Sequence, residues 1–190
     1  DGQRVLHVIS TFEEAGAERW VIEERYTNDP NIVARLFVDP NRMLLGFDVE
    51  NETNEVGRFF YDPPAPYQAP TLGVGAETTV ETVLRMESPE VSTMTIQRLP
   101  DETVETPAGS FADCQCYKMT STATFDIKIA KVRSTEERQR WYHPSVNGLV
   151  KEVYRKHPVK FLGREVKPGY TAGAVLTSFE IQPVAAEQTF

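Results

Sequence analysis

The pattern that most constrains this chain is a succession of short β-type runs separated by clusters of turn residues. Each run is rich in β-branched and aromatic residues, and most alternate apolar with polar positions, as RVLHVISTF does near the N-terminus. Such alternation is typical of strands with one buried and one exposed face. The intervals between runs are too short for the helical crossovers that parallel strands require, so the pattern predicts antiparallel sheet.

The runs predict a mainly β fold of about nine to eleven strands with little helix. Helix is expected at most in Glu13–Trp20, as one or two turns, and in Ser134–Arg140, which fits either a capped helix or a polar strand. The β-type runs are Arg4–Phe12, Trp20–Tyr26, Ile32–Val38, Met43–Val49, Val56–Tyr61, Thr78–Met86, Val91–Leu99, a run through Cys114 and Cys116, Phe125–Ile129, a run ending at Trp141-Tyr142, Leu149–Tyr154 and Ala174–Ile181. A short piece at Thr103–Thr106 leads into the run through Cys114 and Cys116.

A proline- and glycine-rich stretch, DPPAPYQAPTLGVG at 62–75, interrupts the alternation. Such a composition is unsuited to a regular ladder. Because the alternation resumes after it, we interpret the stretch as a long internal loop. We therefore expect a single β domain over residues 1–190, with a loop at 62–75 and a frayed tail near 183–190.

The net charge of −8 and the isoelectric point near 5.0 argue against a nucleic-acid partner, whose phosphates require a basic face. An anionic membrane surface is disfavoured for the same reason. No apolar run is long enough to cross a bilayer. The sequence opens at Asp1-Gly2 without a methionine, and we expect that a leader has been removed.

Three elements in one order carry a family resemblance: the proline-rich loop at 62–75, then V-x-x-P-A-G-x-F from Val104 to Phe111, then W-Y-x-P from Trp141 followed by G-L-V-K from Gly148. This order resembles a group of exported bacterial proteins and lipoproteins of uncharacterised function with a LolA/LolB-like architecture. The sequence departs from that pattern at Thr78, where tryptophan is usual, and by one extra residue in the turn before Gly148.

The resemblance implies a strongly curved antiparallel sheet that forms an incomplete barrel. It also implies a periplasmic or outer-membrane-associated location, often with a lipid anchor on a cysteine that precedes the domain. The inside of such a sheet is a concave apolar face able to hold an acyl chain or a partner segment. The resemblance brings no catalytic residues with it.

Two cysteines, Cys114 and Cys116, share one face if they lie on one strand, where a disulfide between them is strained. We interpret them as free thiols packed in the core, with a redox pair or half of a metal site as the alternatives. A zinc site needs further ligands, and the sequence has no second cysteine pair and no suitably spaced histidine pair. We expect no metal and no cofactor.

Candidate nucleophiles and bases are present but not in a catalytic arrangement. Ser145 or Cys116 with His143 or His7 lack a nucleophile elbow or a Cys/His signature. His143 precedes a proline in a turn, where local hydrogen bonding is the simpler expectation. The sequence therefore predicts a non-enzymatic protein, with a hydrolase that uses His143 as a remote alternative.

The predicted binding residues are eight aromatic side chains able to line the concave face: Trp20, Phe37, Phe47, Phe59, Tyr61, Tyr117, Phe125 and Trp141. An open curved sheet must cover its inner apolar face with protein or ligand. One hypothesis is an exported protein that binds a lipid or acyl chain there. The alternative is an envelope interaction or scaffold module with a packed core, whose loops at 62–75 and 143–148 contact a protein partner.

Overall fold

The computed structural model describes residues 4–14, 17–26, 29–50, 56–69, 71–85, 90–127, 130–146 and 148–179. These residues contain strands and a single 3-10 turn, Pro144–Val146, and no α-helix. The strands are β1 (Arg4–Glu14), β2 (Ala17–Tyr26), β3 (Asp29–Val38), β4 (Met43–Glu50), β5 (Val56–Pro66), β6 (Glu77–Arg85), β7 (Glu90–Thr106), β8 (Gly109–Ile127), β9 (Ala130–His143), β10 (Gly148–Lys156), β11 (Val159–Phe161), β12 (Arg164–Lys167) and β13 (Tyr170–Val175).

Eleven strands form one antiparallel sheet that curls into a half-barrel. The strands from β1 to β10 follow each other in chain order, and β13 then pairs with β10 at the end of the sheet. β11 and β12 form a separate two-stranded hairpin. The predicted fold class, a curved antiparallel sheet that does not close, is confirmed.

The hairpin of β7 and β8 is longer than the sequence pattern predicts, because two bulges interrupt the alternation without ending the strands. The register shifts once between Leu99 and Glu102 on β7, and again opposite Phe111 and Cys114 on β8. Asp113, in the second bulge, has a φ of 56°. One extra residue on each strand restores the common register, so the pairing of β7 with β8 continues to the end of the hairpin at Thr106 and Gly109.

The helix predicted at Glu13–Trp20 is wrong for the described residues of this stretch, because Glu13 and Glu14 belong to β1 and Ala17–Trp20 belong to β2, with Glu14 opposite Ala17. Residues 15 and 16 lie outside the described residues. The ladder between β1 and β2 supplies backbone partners to both strands and overrides the weak helical preference of the glutamates and Ala17. Ser134–Arg140 lies within β9, so the polar-strand interpretation is the one that holds.

The proline-rich stretch at 62–75 is only partly a loop. Its first five residues complete β5, with Ala65 opposite Leu44 and Pro66 opposite Met43. The register along β5 jumps between Phe60 and Ala65, so residues 61–64 make no ladder pairs with β4. Prolines are tolerated in such an interruption because no ladder hydrogen bond is needed from them.

The closing strand lies earlier than predicted, at Tyr170–Val175 rather than Ala174–Ile181. It begins directly after the turn at Pro168-Gly169, and its six residues pair with β10 from Lys156 back to Lys151. The tail predicted near 183–190 lies outside the described residues. The division into a single domain remains a prediction.

Candidate functional site

The two faces of the curled sheet can be told apart by contacts that skip strands. Three strands separate β5 from β9 in the sheet, yet Arg138 of β9 acts electrostatically on Tyr61 of β5. Similarly, Arg42 before β4 interacts with Tyr142 at the end of β9. Such approaches are open only to side chains on the inside of the curl, which we call the inner face.

One wall of the inner face is aromatic. The rings of Phe47 and Phe59 stack with their centroids 4.8 Å apart, and Tyr61 lies 6.2 Å from Phe47. All three side chains are half-buried. Burial raises the pKa of Tyr61, while the nearby Arg138 guanidinium acts in the opposite direction. Trp20 continues this wall on β2, where the guanidinium of Arg42 lies 3.6 Å from its ring centroid.

The opposite wall is charged. Alternate residues of β9, namely Glu136, Arg138 and Arg140, point inward next to alternate residues of β10. Arg140 donates from Nε to Oε2 of Glu152 at 2.5 Å, and both side chains are buried. Lys156 Nζ donates to Oε1 of Glu136 at 2.8 Å.

The charges on this wall hold one another in their ionised forms. Burial by itself raises the pKa of Glu136, but the hydrogen bond and the charge of Lys156 lower it overall. Burial likewise disfavours the charged form of Arg140, and Tyr142 and Glu152 together outweigh it and raise the pKa. The inner face therefore has an aromatic wall and an ionic wall.

The connection that follows β5 packs against the inner face. The side chain of Tyr67 is buried against the apolar cluster of Ile22 and Val38, and Arg140 lies 5.5 Å above its ring. Further along the same connection, Ala69 and Leu72 pack on a second buried cluster, which consists of Ile96, Tyr117, Met119 and Tyr142. The chain thus covers part of its own inner face.

The predicted binding residues divide between the two faces. Trp20, Phe47, Phe59, Tyr61 and Tyr117 lie on the inner face, where the curl brings them together. Phe37, which neighbours Leu36 on β3, points to the outer face, and so does Trp141. The side chain of Phe125 lies outside the described part of the structure. Ligand binding by this set remains a prediction.

Trp141 belongs to a buried cluster on the outer face together with Val104, Phe111, Cys114, Cys116 and Val150. Its Nε1 donates to Oε2 of Glu102 at 2.8 Å, and Lys151 Nζ lies 4.6 Å from its ring centroid. The segment after β13 covers this cluster, since Leu176 donates to the carbonyl of Val150 at 2.8 Å. The cluster is a structural core rather than an open site.

The two cysteines are free and buried in this outer cluster. Burial raises the pKa of both thiols, against the hydrogen bond that Gln139 Nε2 donates to Cys116 Sγ at 3.3 Å. Cys114 Sγ donates to the carbonyl of Phe111, also at 3.3 Å. Raised pKa values and burial are typical of inert structural thiols.

Two of the histidines, His143 and His157, take part in local hydrogen bonding, while the side chain of His7 lies outside the described part of the structure. The imidazole Nδ1 of His143 lies 2.6 Å from Ser145 Oγ and accepts the backbone N–H of Ser145 at 3.1 Å, within the turn that joins β9 to β10. His157 Nε2 is 3.0 Å from Glu137 Oε1. Among the residues that the structure describes, no cluster of His, Cys, Asp and Glu could hold a metal ion.

The two loops predicted to meet a partner lie at one end of the half-barrel. Leu72, from the first loop, and Leu149, which follows the second, pack on the same buried cluster. The tip of the first loop is exposed at Val74, whose side chain is 62% accessible. We call this the loop end.

Sequence reasoning missed the ionic wall and the covering role of Tyr67. The only signal for the wall is the alternation of Glu136, Arg138 and Arg140, which is also what a solvated strand face looks like. In the described ranges, no helix is long and apolar enough to span a membrane.

No protein-family model matches this chain, and no curated protein matches it. Among solved structures, the crystal structure of a predicted lipoprotein from Parabacteroides distasonis is similar over 94% of this chain and 88% of that chain. The two are 14% identical and superpose with a TM-score of 0.42.

Proposed function

We propose that this chain is a non-enzymatic exported protein of the bacterial envelope that acts as an interaction module. The export rests on the sequence resemblance to exported bacterial proteins and lipoproteins. The observation that carries the interaction role is the filling of the inner face by Tyr67, Ala69 and Leu72. A curved sheet that supplies its own cover leaves its loops and hairpins as the surfaces for recognition.

The ionic wall supports the same reading. A carrier of acyl chains needs a continuous apolar lining with few polar groups. Here the Arg140–Glu152 pair is buried deep on the inner face, and Arg138 and Glu136 continue it outward. An acyl chain laid along these strands would desolvate charges without offering them hydrogen bonds.

The loop end supports a protein partner. The connection after β5 and the turn between β9 and β10 lie side by side there, because Leu72 and Leu149 pack on the same buried cluster. Val74 is exposed on the first of them. An apolar residue on a loop supported by a rigid core suits recognition of another protein.

A second candidate function is the binding of an apolar ligand on the aromatic wall. The half-buried side chains of Phe47, Phe59 and Tyr61 favour it, because they remain partly open on the inner face. Such a ligand would lie beside the covering connection rather than beneath it.

Native mass spectrometry of the gently purified protein, followed by solvent extraction, separates the two candidates. The interaction module predicts a mass without ligand and no uptake of a fluorescent fatty acid, while Tyr67→Ala opens the inner face and gains uptake of the dye. A stoichiometric apolar molecule extracted from the unmodified protein would overturn the packed-module reading in favour of the carrier.

The partner itself is sought with a photo-reactive amino acid at position 74 and, as the control, at the exposed position 93 on β7. The proposal predicts a discrete cross-linked adduct in the envelope from position 74 and none from position 93. The same adducts from both positions, or none from position 74, would contradict a partner site at the loop end.

A further inference from the structure

The β11–β12 hairpin follows β10 at the end opposite the 143–148 turn. The residues at its apex are unfavourable for the stability of a hairpin. Its two-residue turn consists of Leu162 and Gly163, with φ values of 48° and 77°. Two positive φ values in sequence are those of a type I′ turn, in which Asn or Gly is the residue expected at the first position. Leucine in the left-handed region is strained.

Leu162 is also the most exposed large apolar residue in the described part of the chain, at 85% accessible. Val166 in the following strand is exposed as well, at 55%. A residue that is unfavourable both for its backbone conformation and for its exposure indicates a role outside folding.

The segment around the apex is basic in an acidic protein. The thirteen residues from Arg155 to Lys167 include five Lys or Arg and one Glu, although the whole chain carries −8. Lys160, Arg164 and Lys167 are exposed, and within the described ranges none of them forms an ion pair. Exposed charges are screened beyond about 8–10 Å at physiological salt. The negative net charge of the whole chain therefore does not determine the electrostatic potential around this basic hairpin.

The cations are placed around the hairpin rather than along one side of it. In the register of the hairpin, Lys160 lies opposite Glu165 and Phe161 lies opposite Arg164. Because neighbouring residues of a strand point to opposite faces, Lys160 and Arg164 lie on opposite faces of the hairpin. A hairpin with cations on both faces behind an apolar tip can contact a plane of anions when it approaches that plane end-on. A groove in a protein would contact only one face of the hairpin and so fits this arrangement poorly.

The hairpin is also held firmly enough to present its tip. The backbone N–H of His157 donates to the carbonyl of Thr135 on β9 at 3.0 Å, and Val159 is buried. Lys156 and Glu136 close the base of the hairpin on the inner side. The strained apex is therefore carried on a base that is fixed to the main sheet.

We propose that the β11–β12 hairpin is a membrane-surface contact that inserts Leu162 among the headgroups of an anionic phospholipid bilayer. Lys160, Arg164 and Lys167 would lie at the level of the phosphates. The loop end lies about 30 Å away, at the other end of the nine-residue β10, and would then face away from the bilayer. This inference is independent of what the loop end or the inner face binds.

The test is flotation of the 190-residue chain with vesicles of phosphatidylcholine alone, or with about 30% phosphatidylglycerol added. We expect binding to the anionic vesicles only, and release at about 0.5 M salt. Leu162→Asn keeps the favoured turn conformation and should weaken binding on the order of tenfold, because it removes the inserted apolar group. Replacement of Lys160 and Lys167 by Gln should weaken it about 25-fold, at about fivefold for each cation.

Val74→Asn is the control, since it removes another exposed apolar side chain, 62% accessible against 85% for Leu162, and it should bind to the vesicles as the unmodified protein does. A melting temperature of Leu162→Asn at or above that of the unmodified protein excludes misfolding as the cause of lost binding. If the unmodified protein stays unbound at low salt, or if Leu162→Asn binds as well as it does, the proposal is wrong. In that case the exposed apex would be assigned to contact with a protein partner instead.

Discussion

Arg140 and Glu152 form a buried ion pair on neighbouring strands, with 2.5 Å between Nε and Oε2. The pair lies on the inner face of the half-barrel, where the guanidinium of Arg140 is 5.5 Å from the ring centroid of Tyr67. Two charges so removed from water stabilise the fold only while both are present, because each compensates the desolvation of the other. The pair therefore makes this wall of the barrel unsuited to an apolar ligand and sensitive to single substitutions.

Removal of one partner from this pair should be costly. Glu152→Gln leaves the guanidinium of Arg140 buried without its counter-charge, and we expect the free energy of unfolding to fall by about 3 kcal/mol in urea denaturation. Arg85→Ala is the control, because it breaks the exposed pair with Asp62 and should cost less than about 1 kcal/mol.

The double substitution Arg140→Met with Glu152→Leu should recover most of the stability lost in Glu152→Gln, since apolar residues of similar volume replace a buried pair without loss. A double variant as unstable as Glu152→Gln would show instead that Arg140 contributes through Tyr67 and Tyr142 rather than through its ion pair.

Alternation is a local signal, and it was sufficient for most strands of the main sheet and for their antiparallel arrangement, while the curl was expected only from the family resemblance. It failed where the alternation breaks without ending a strand, as at the bulge next to Asp113, since a bulge and a turn look alike in a single sequence. The neighbours Trp141 and Tyr142 show a second limit. Both are buried, on opposite faces, so the local pattern could not tell which of them faces the inside.

The inner face was beyond local reasoning for a different reason. Tyr67 comes from a proline-rich connection, and its burial depends on strands far away in the sequence. The partners Arg140 and Glu152 are separated by a turn, and each looks like an ordinary polar position in a strand. Only the register of β9 against β10 places them together.

The unfolding free energy should fall as the pH rises above about 9. Burial raises the pKa of Cys114, Cys116, Tyr61, Tyr117 and Tyr154, from ordinary values of 9.0 for the thiols and 10.0 for the phenols. The unfolded chain releases these protons first, so each group's stabilisation is complete below its unfolded pKa and is lost as the pH rises above it.

Urea midpoints measured between about pH 8 and pH 10.5 check this expectation, with a slope of up to about 1.4 kcal/mol per pH unit for each group engaged. In the double variant Cys114→Ala, Cys116→Ala the decline should begin about one pH unit later, where the tyrosines titrate. A flat profile in the unmodified protein would contradict the raised pKa values.

Both thiols should be unreactive in the folded protein. They are fully buried, and burial keeps them protonated at neutral pH. We expect no alkylation by iodoacetamide at about pH 8 in the absence of denaturant, and alkylation of both cysteines once the protein is unfolded in urea. Mass spectrometry counts the adducts, and an unfolded chain that still resists alkylation without reductant would reveal a disulfide in place of the free pair.

Gly169→Ala should displace the base of the β11–β12 hairpin. A Cβ at this position would lie 2.6 Å from the carbonyl oxygen of Lys156 and 2.9 Å from the backbone nitrogen of Pro158, and neither atom can give way without moving the chain. We expect a loss of about 1–3 kcal/mol in the free energy of unfolding. Gly73→Ala is the matched control, because an added Cβ there meets nothing within 4 Å.

Amide hydrogen exchange locates the part of the chain that the added Cβ of Gly169→Ala displaces. In Gly169→Ala the amides of β11 to β13 should exchange faster than in the unmodified protein, while those of β7 and β8 stay protected, since the clash is confined to the chain around Lys156 and Pro158. Uniformly faster exchange across the sheet, or a stability equal to that of Gly73→Ala, would mean that the hairpin base is not packed as tightly as these distances require.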